Sequence, residues 1–264
     1  MEKTAETKTI YYSDELNDDF AGTNIKQKKL PDDFKYVHKG IFYRIGSFIL
    51  TILAVPFLYL FLKVFYHQKF VNKKKLRKFR KTGYFIYANH TNGCLDAYIP
   101  QILAFPKKAY IVVNPDATSI FGIRTVVMML GGLPLPTDLK STTKYLDAIK
   151  QRIKQKSVIM IYPEAHIWPY YTDIRHFRYE SFIYPARLNK PVFALTNVYV
   201  KRKHGKRPKV VSYIDGPFFI DPEECNNGNM VLFRDVVYDA MKKRVNSNPV
   251  YKYKYDYVKK EAEE

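Results

Sequence analysis

Two short segments of this chain carry residues able to move a proton. Tyr87, Ala88, Asn89, His90, Thr91, Asn92, Gly93, Cys94, Leu95 and Asp96 put an imidazole and a carboxylate just after an apolar run, and Ile161, Tyr162, Pro163 and Glu164 put a second carboxylate after another. An imidazole titrates near neutrality, so it takes a proton from a hydroxyl when a carboxylate holds its tautomer and steadies the imidazolium that forms. His90 as base and Asp96 as its orienter make a set for activating an alcohol, with backbone N–H groups near Gly93 or Ala165 placed for an oxyanion. Spacing alone leaves the pairing of His90 with Asp96 open. Cys94 lies between them, and a thiolate beside a histidine is a nucleophile; a cysteine in apolar surroundings is more often a small core residue. Glu164, His166, Asp173 and His176 follow no standard zinc spacing, so no metal is expected.

The elements that must position these residues alternate along the chain. Residues 84–89, 109–113, 158–162, 191–200 and 210–214 are short apolar or aromatic runs bounded by turn residues, the pattern of buried strands. Between them, residues 95–104, 120–130, 141–154 and 230–245 read as helices; in 141–154, Tyr145, Leu146, Ile149 and Ile153 share one face. Strands separated by helices predict an α/β fold, a central mostly parallel sheet flanked by helices. Ligands of such sheets sit beyond the carboxyl ends of strands, where both His90 and Glu164 fall.

The charge is strongly uneven. The 264 residues carry a formal net charge of +19, which favours contact with something anionic. Nine cations and no acid lie in residues 63–81, directly after residues 45–62, an uncharged run of 18 with Pro56 inside it. As a helix at about 1.5 Å per residue that run nearly crosses a bilayer core, so a re-entrant or interfacial anchor and a true span are both open, with Pro56 suggesting a kink or two half-helices. Cations beside an anchor are the pattern of binding an anionic membrane surface, and they put the body of the protein on the cytoplasmic face of a membrane. A second basic run at residues 201–209, among many aromatic residues, raises nucleic acid as a partner. The anchor beside the stronger run argues for lipid, so no nucleic acid is expected. No secretory signal is visible, and two cysteines make no disulfide framework. The expected organisation is a flexible polar arm over 1–40, an anchor and polybasic helix over 41–82, a catalytic domain over 83–247 and a Tyr/Lys-rich, solvated or interfacial tail over 248–264.

The order of the blocks resembles a known family. Asn89, His90 and Asp96 look like the NHxxxxD block of the glycerolipid acyltransferases, the lysophosphatidate acyltransferase family, and Tyr162, Pro163 and Glu164 look like the start of its PEGTR block. Phe121, Gly122 and residues 130–136 are similar to the segment between, and residues 177–195 to the helix and strand that close the domain, so the resemblance spans residues 83–216. The departures are specific. One extra residue separates His90 from Asp96, Thr137 and Asp138 fall where the middle block has its arginine, and Ala165, His166 and Ile167 stand for Gly, Thr and Arg. The resemblance implies a membrane-bound enzyme of phospholipid synthesis that moves an acyl group from acyl-CoA or acyl carrier protein to a hydroxyl of a lysophospholipid-like acceptor, with no cofactor beyond that co-substrate. It implies acceptor binding by Glu164, with Arg175 and Arg178 as the first candidates for the missing phosphate-binding cations and Arg124 and Lys140 as further ones. The altered blocks also admit a catalytically degraded membrane-binding protein of the same fold.

Overall fold

The structure, a computed structural model, describes residues 7–22, 29–118 and 122–260. In chain order the elements are β1 (Lys8–Tyr12), α1 (Ile41–Phe65), β2 (Lys69–Val71), α2 (Lys74–Arg77), β3 (Tyr84–Ala88), α3 (Gly93–Ala104), β4 (Ala109–Val113), α4 (Ile123–Met129), β5 (Gly132–Pro134), α5 (Leu139–Lys154), β6 (Val158–Ile161), α6 (Ile183–Arg187), β7 (Val192–Val200), β8 (Lys209–Phe218), α7 (Asn227–Asn246) and β9 (Tyr255–Lys259).

A seven-stranded sheet of order β2-β8-β7-β3-β6-β4-β5 forms the middle layer, parallel throughout except where β8 pairs antiparallel with β7. The central strands β3 and β6 are apolar or aromatic at every position because both faces are covered. Phe85, Tyr87, Ile159, Ile161, Val192 and Ala194 point into one core with Tyr145, Ile149 and Ile153 of α5 and Phe233, Val237 and Met241 of α7. Tyr84, Ile86, Val158, Met160, Phe193 and Leu195 point into the other with Leu95, Ile99 and Leu103 of α3 and Val55 and Leu62 of α1. Where α5 ends against the start of β3, a Cβ on Gly83 would lie 2.6 Å from the Ile153 carbonyl oxygen, so only glycine allows the approach.

Several segments depart from the sequence reading. The apolar run is one continuous 25-residue helix through Pro56, not two half-helices. It is long and apolar enough to cross a membrane, and only 17% of its most apolar window is buried, so it is not a core helix. Residues 63–81 form no polybasic helix; they contain the edge strand β2, paired with β8, and the single turn α2. The sheet therefore begins before residue 83. Residues 8–12 of the arm and 255–259 of the tail are not loose, because β1 and β9 pair in parallel over five residues. A two-stranded ribbon is marginal alone; this one packs Tyr12 and Tyr257 on Trp168, at ring separations of 4.6 and 5.1 Å. The helix expected over 120–130 is observed as Ile123–Met129, and Phe121 lies outside the described residues.

Candidate active site

The loop after β3 turns directly into α3. Asn92 caps that helix, its side chain accepting from Leu95 N at 3.2 Å, so the helix starts at Gly93 and Asp96 falls in its first turn. The Asp96 carboxylate folds back over the cap: Oδ2 accepts from Asn92 N at 3.0 Å and lies 2.7 Å from His90 Nδ1. The extra residue between histidine and aspartate is absorbed by a loop pinned to β7. Asn89 exchanges hydrogen bonds with the Asn197 backbone at 2.8 and 3.1 Å, and Thr91 Oγ1 is 2.9 Å from Tyr199 Oη.

Asp96 is almost wholly buried, and burial raises its carboxyl above the ordinary carboxylate range against the downward pull of His90 and the Asn92 N–H. The His90 ring stacks on Tyr162 at 4.4 Å and 23°, and Tyr162 Oη donates to the Asp96 carbonyl at 2.6 Å. One tyrosine thus packs the base and braces its orienter. With Nδ1 committed to Asp96, Nε2 is the ring nitrogen left for chemistry. His90 lines a cavity of about 610 Å³, bounded also by Gly93, Asp96, Ile111, Val113, Leu135, Ile161, Tyr162 and Arg178. Gly93 stands at the first helical position of α3, where backbone N–H groups have no intrahelical acceptor. The Ala165 N–H, in contrast, is spent on the Tyr162 carbonyl at 3.1 Å.

Glu164 and Arg175 sit beneath the cavity rather than on its wall. Glu164 Oε2 accepts from His90 N at 2.9 Å, Oε1 accepts from Arg175 N at 3.1 Å, and the Arg175 guanidinium approaches Oε2 at 3.4 Å. Burial pushes the Glu164 carboxyl up while Arg175 pulls it down. Arg175 has no exposed surface; its guanidinium also donates to the His166 and Glu15 carbonyls and lies over the Trp168 ring at 4.8 Å. Neither of these two residues, expected at the acceptor site, lines the cavity; they hold the backbone under His90. Arg178 does line the cavity. Arg124 turns to the Thr118 carbonyl, at 2.9 Å, and Asp138, in the place of the missing arginine, caps α5 through Ser141 N at 2.7 Å. The side chain of Cys94 lies outside what the structure describes.

Asp19 and Ala21 of the arm also line the cavity, and the sequence reading missed them. One available signal was Trp168, the only tryptophan of the chain, a few residues after the Glu164 block. Its ring is fully buried under the arm, with Nε1 donating to the Asp18 carbonyl at 2.7 Å.

A histidine tied to a carboxylate beside an open cavity, at the carboxyl edge of a largely parallel sheet, has the geometry of an acid–base site. Residues 67–193 match the model of the Acyltransferase family. The fold is similar to the crystal structure of the 1-acyl-sn-glycerophosphate (LPA) acyltransferase PlsC from Thermotoga maritima, with a TM-score of 0.51 and 15% identity, over 79% of this chain and 81% of that one. No curated protein sequence matches the chain. The matched segment and the shared fold both support a glycerolipid acyltransferase family for this chain.

Proposed function

We propose that this protein is a membrane-bound O-acyltransferase that moves a fatty acyl group from a thioester, of coenzyme A or acyl carrier protein, to a hydroxyl of a lysophospholipid-like acceptor. The observation that carries the reading is the 2.7 Å contact between His90 Nδ1 and Asp96 Oδ2 at the edge of a cavity large enough for a lipid headgroup and the reacting end of an acyl chain. With Nδ1–H donating to Asp96, Nε2 takes the hydroxyl proton as the acceptor oxygen bonds to the thioester carbonyl carbon. Asp96 stabilises the imidazolium, and N–H groups at the start of α3 meet the oxyanion. The C–S bond then breaks and the leaving thiolate recovers the proton from Nε2, so no covalent acyl-enzyme forms. Ile111, Val113, Leu135 and Ile161 offer the acyl chain an apolar wall.

Membrane attachment is supported by α1. Phe42, Phe48, Leu53, Phe57 and Leu60 stand exposed, while Thr51, Val55 and Leu62 face the domain. The helix is tied to the domain near both ends, by Ser47 Oγ to the Met129 carbonyl at 2.6 Å and by Val210 N to the Tyr66 carbonyl at 3.1 Å. A helix bound along its side favours an interfacial anchor over an independent span, with the cations of residues 63–81 toward anionic lipid on the cytoplasmic face.

The test is an assay of purified protein with a labelled acyl thioester and a panel of lysolipids. Transfer that vanishes in His90→Ala supports the reading. A well-folded wild type that binds anionic vesicles and transfers to no acceptor sinks it, and leaves a membrane-binding protein of the same fold.

A further inference from the structure

We infer that Asp19 makes this site select an acceptor whose headgroup presents hydrogen-bond donors or a positive charge, and disfavour one ending in a phosphate monoester. The inference rests on the acyl-transfer reading above.

The position of Asp19 is fixed by the strap it belongs to. Phe20 N donates to the Ile167 carbonyl at 3.1 Å, Ile167 N donates to Asp19 Oδ1 at 3.2 Å, and Trp168 Nε1 donates to the Asp18 carbonyl at 2.7 Å. Three consecutive residues of the arm thus bind Ile167 and Trp168, just after Glu164. Phe20 packs on Trp168 and Tyr257 at 5.3 and 5.6 Å, and the pairing of β1 with β9 closes the strap behind it. The same loop is joined to the catalytic loop by Trp168 N to the His90 carbonyl at 3.2 Å and Tyr170 N to the Thr91 carbonyl at 2.8 Å. Asp19 is therefore coupled through short contacts to the base.

What the strap delivers to the cavity is negative charge. The Ile167 N–H, which a phosphate would otherwise take, is already spent on Asp19 Oδ1, and Asp19 Oδ2 lies 3.8 Å from His166 Nδ1. Besides Asp96, the lining among the described residues holds Asp19, Asp116 and Glu180 against one guanidinium, Arg178. This balance opposes the formal charge of +19 on the whole chain, so composition does not account for it. Asp116 spends one oxygen on the Ala117 N–H at 2.6 Å, whereas Asp19, itself a lining residue, keeps Oδ2 at 3.8 Å from His166 Nδ1. A phosphate dianion placed here meets carboxylates without the two-pronged guanidinium grip that offsets its charge; an ammonium or hydroxyl meets acceptors.

The experiment compares kcat/KM for three acceptors with the same acyl chain: lysophosphatidate, lysophosphatidylethanolamine and monoacylglycerol. The ammonium or the neutral headgroup should be used at least about tenfold better than lysophosphatidate, and Asp19→Asn, which keeps the carbonyl for Ile167 N, should narrow that ratio at least about fivefold, mainly through KM. Emission of Trp168 reports whether the strap stays docked in the variant. If it undocks, Ala21→Lys carries the test, because a cation on the same wall must raise relative use of lysophosphatidate. Preference for lysophosphatidate by the wild type overturns the inference, above all if Arg178→Ala raises its KM. So does an equal change for all three acceptors in Asp19→Asn with the strap docked, or no change in Ala21→Lys. Transfer to none of the three by folded wild type would instead defeat the acyl-transfer reading, and this inference with it.

Discussion

Replacing Asp96 by asparagine separates the charge of the orienter from its geometry. In the wild type Oδ2 receives two N–H groups, His90 Nδ1 at 2.7 Å and Asn92 N at 3.0 Å, and Oδ1 is buried without a partner among the described residues. An asparagine of the same shape satisfies Asn92 only with its carbonyl oxygen at the Oδ2 position. Turned over, its NH2 would face the Asn92 N–H, donor against donor, and would force the imidazole into the Nε2–H tautomer. The backbone N–H thus keeps the tautomer correct, and what is lost is the negative charge opposite the imidazolium. A hydrogen bond to a charged group is worth roughly 1.5–3 kcal/mol against ~1 kcal/mol for a neutral one, and the dry site widens the gap. A loss of about 3 kcal/mol corresponds to a fall of about 10²-fold in kcat/KM. That is well short of the roughly 10⁴-fold seen when such a change inverts the tautomer. Burial raises the Asp96 carboxyl pKa, so a neutral amide relieves a desolvation penalty and the Tm should hold or rise. Steady-state transfer kinetics beside thermal melts check both halves. A fall of 10⁴-fold or more would refute the role given to the Asn92 N–H, and activity within about threefold of wild type would refute the role given to the charge.

Three further outcomes follow from the same geometry. Arg175→Ala leaves the Glu164 carboxylate buried without its guanidinium and should cost about 3–5 kcal/mol of stability by denaturant titration, with acceptor KM little changed in the folded fraction; an unchanged midpoint with a raised KM would return Arg175 to the acceptor site. Ala165 stands at a φ of +63°, where an L residue is strained by ~1–2 kcal/mol, and glycine's extra chain entropy offsets only about half of that, so Ala165→Gly should raise the Tm slightly. Burial, with Arg152 adding a smaller push, depresses Lys108 to about 8, where its ammonium meets Ser47 and Thr51 of α1. The unfolded chain then holds more protons than the folded one between about pH 8 and the ordinary lysine value, so unfolding free energy gains from this group as pH rises through that window, and below it the burial penalty is felt in full. Melts of wild type and Lys108→Met from pH 7.5 to 10 should show the smaller upward contribution in the variant; parallel profiles would dismiss it.

The candidate site was legible in the sequence, and most of its scaffold too, for one reason: the contacts that build it are local or lie on strands whose apolar runs show in one dimension. His90 and Asp96 are joined by a capped helix start, and the strands 84–89, 109–113 and 158–162 announce burial on both faces. The observed β3, β4 and β6 match them to within a residue. Only the tertiary structure decided what lies across the cavity. Arg175 read as a free cation because it follows the Glu164 block, but a chain reversal carries it underneath, where Glu164 and Trp168 enclose it. Residues 1–40 read as a loose arm because polar composition does not encode a pairing partner more than 240 residues away, and β1 finds one in β9. That pairing fastens the arm carrying Asp19 against the wall of the site, and sequence periodicity carries no signal for a contact made by backbone N–H groups, one indole and a distant strand.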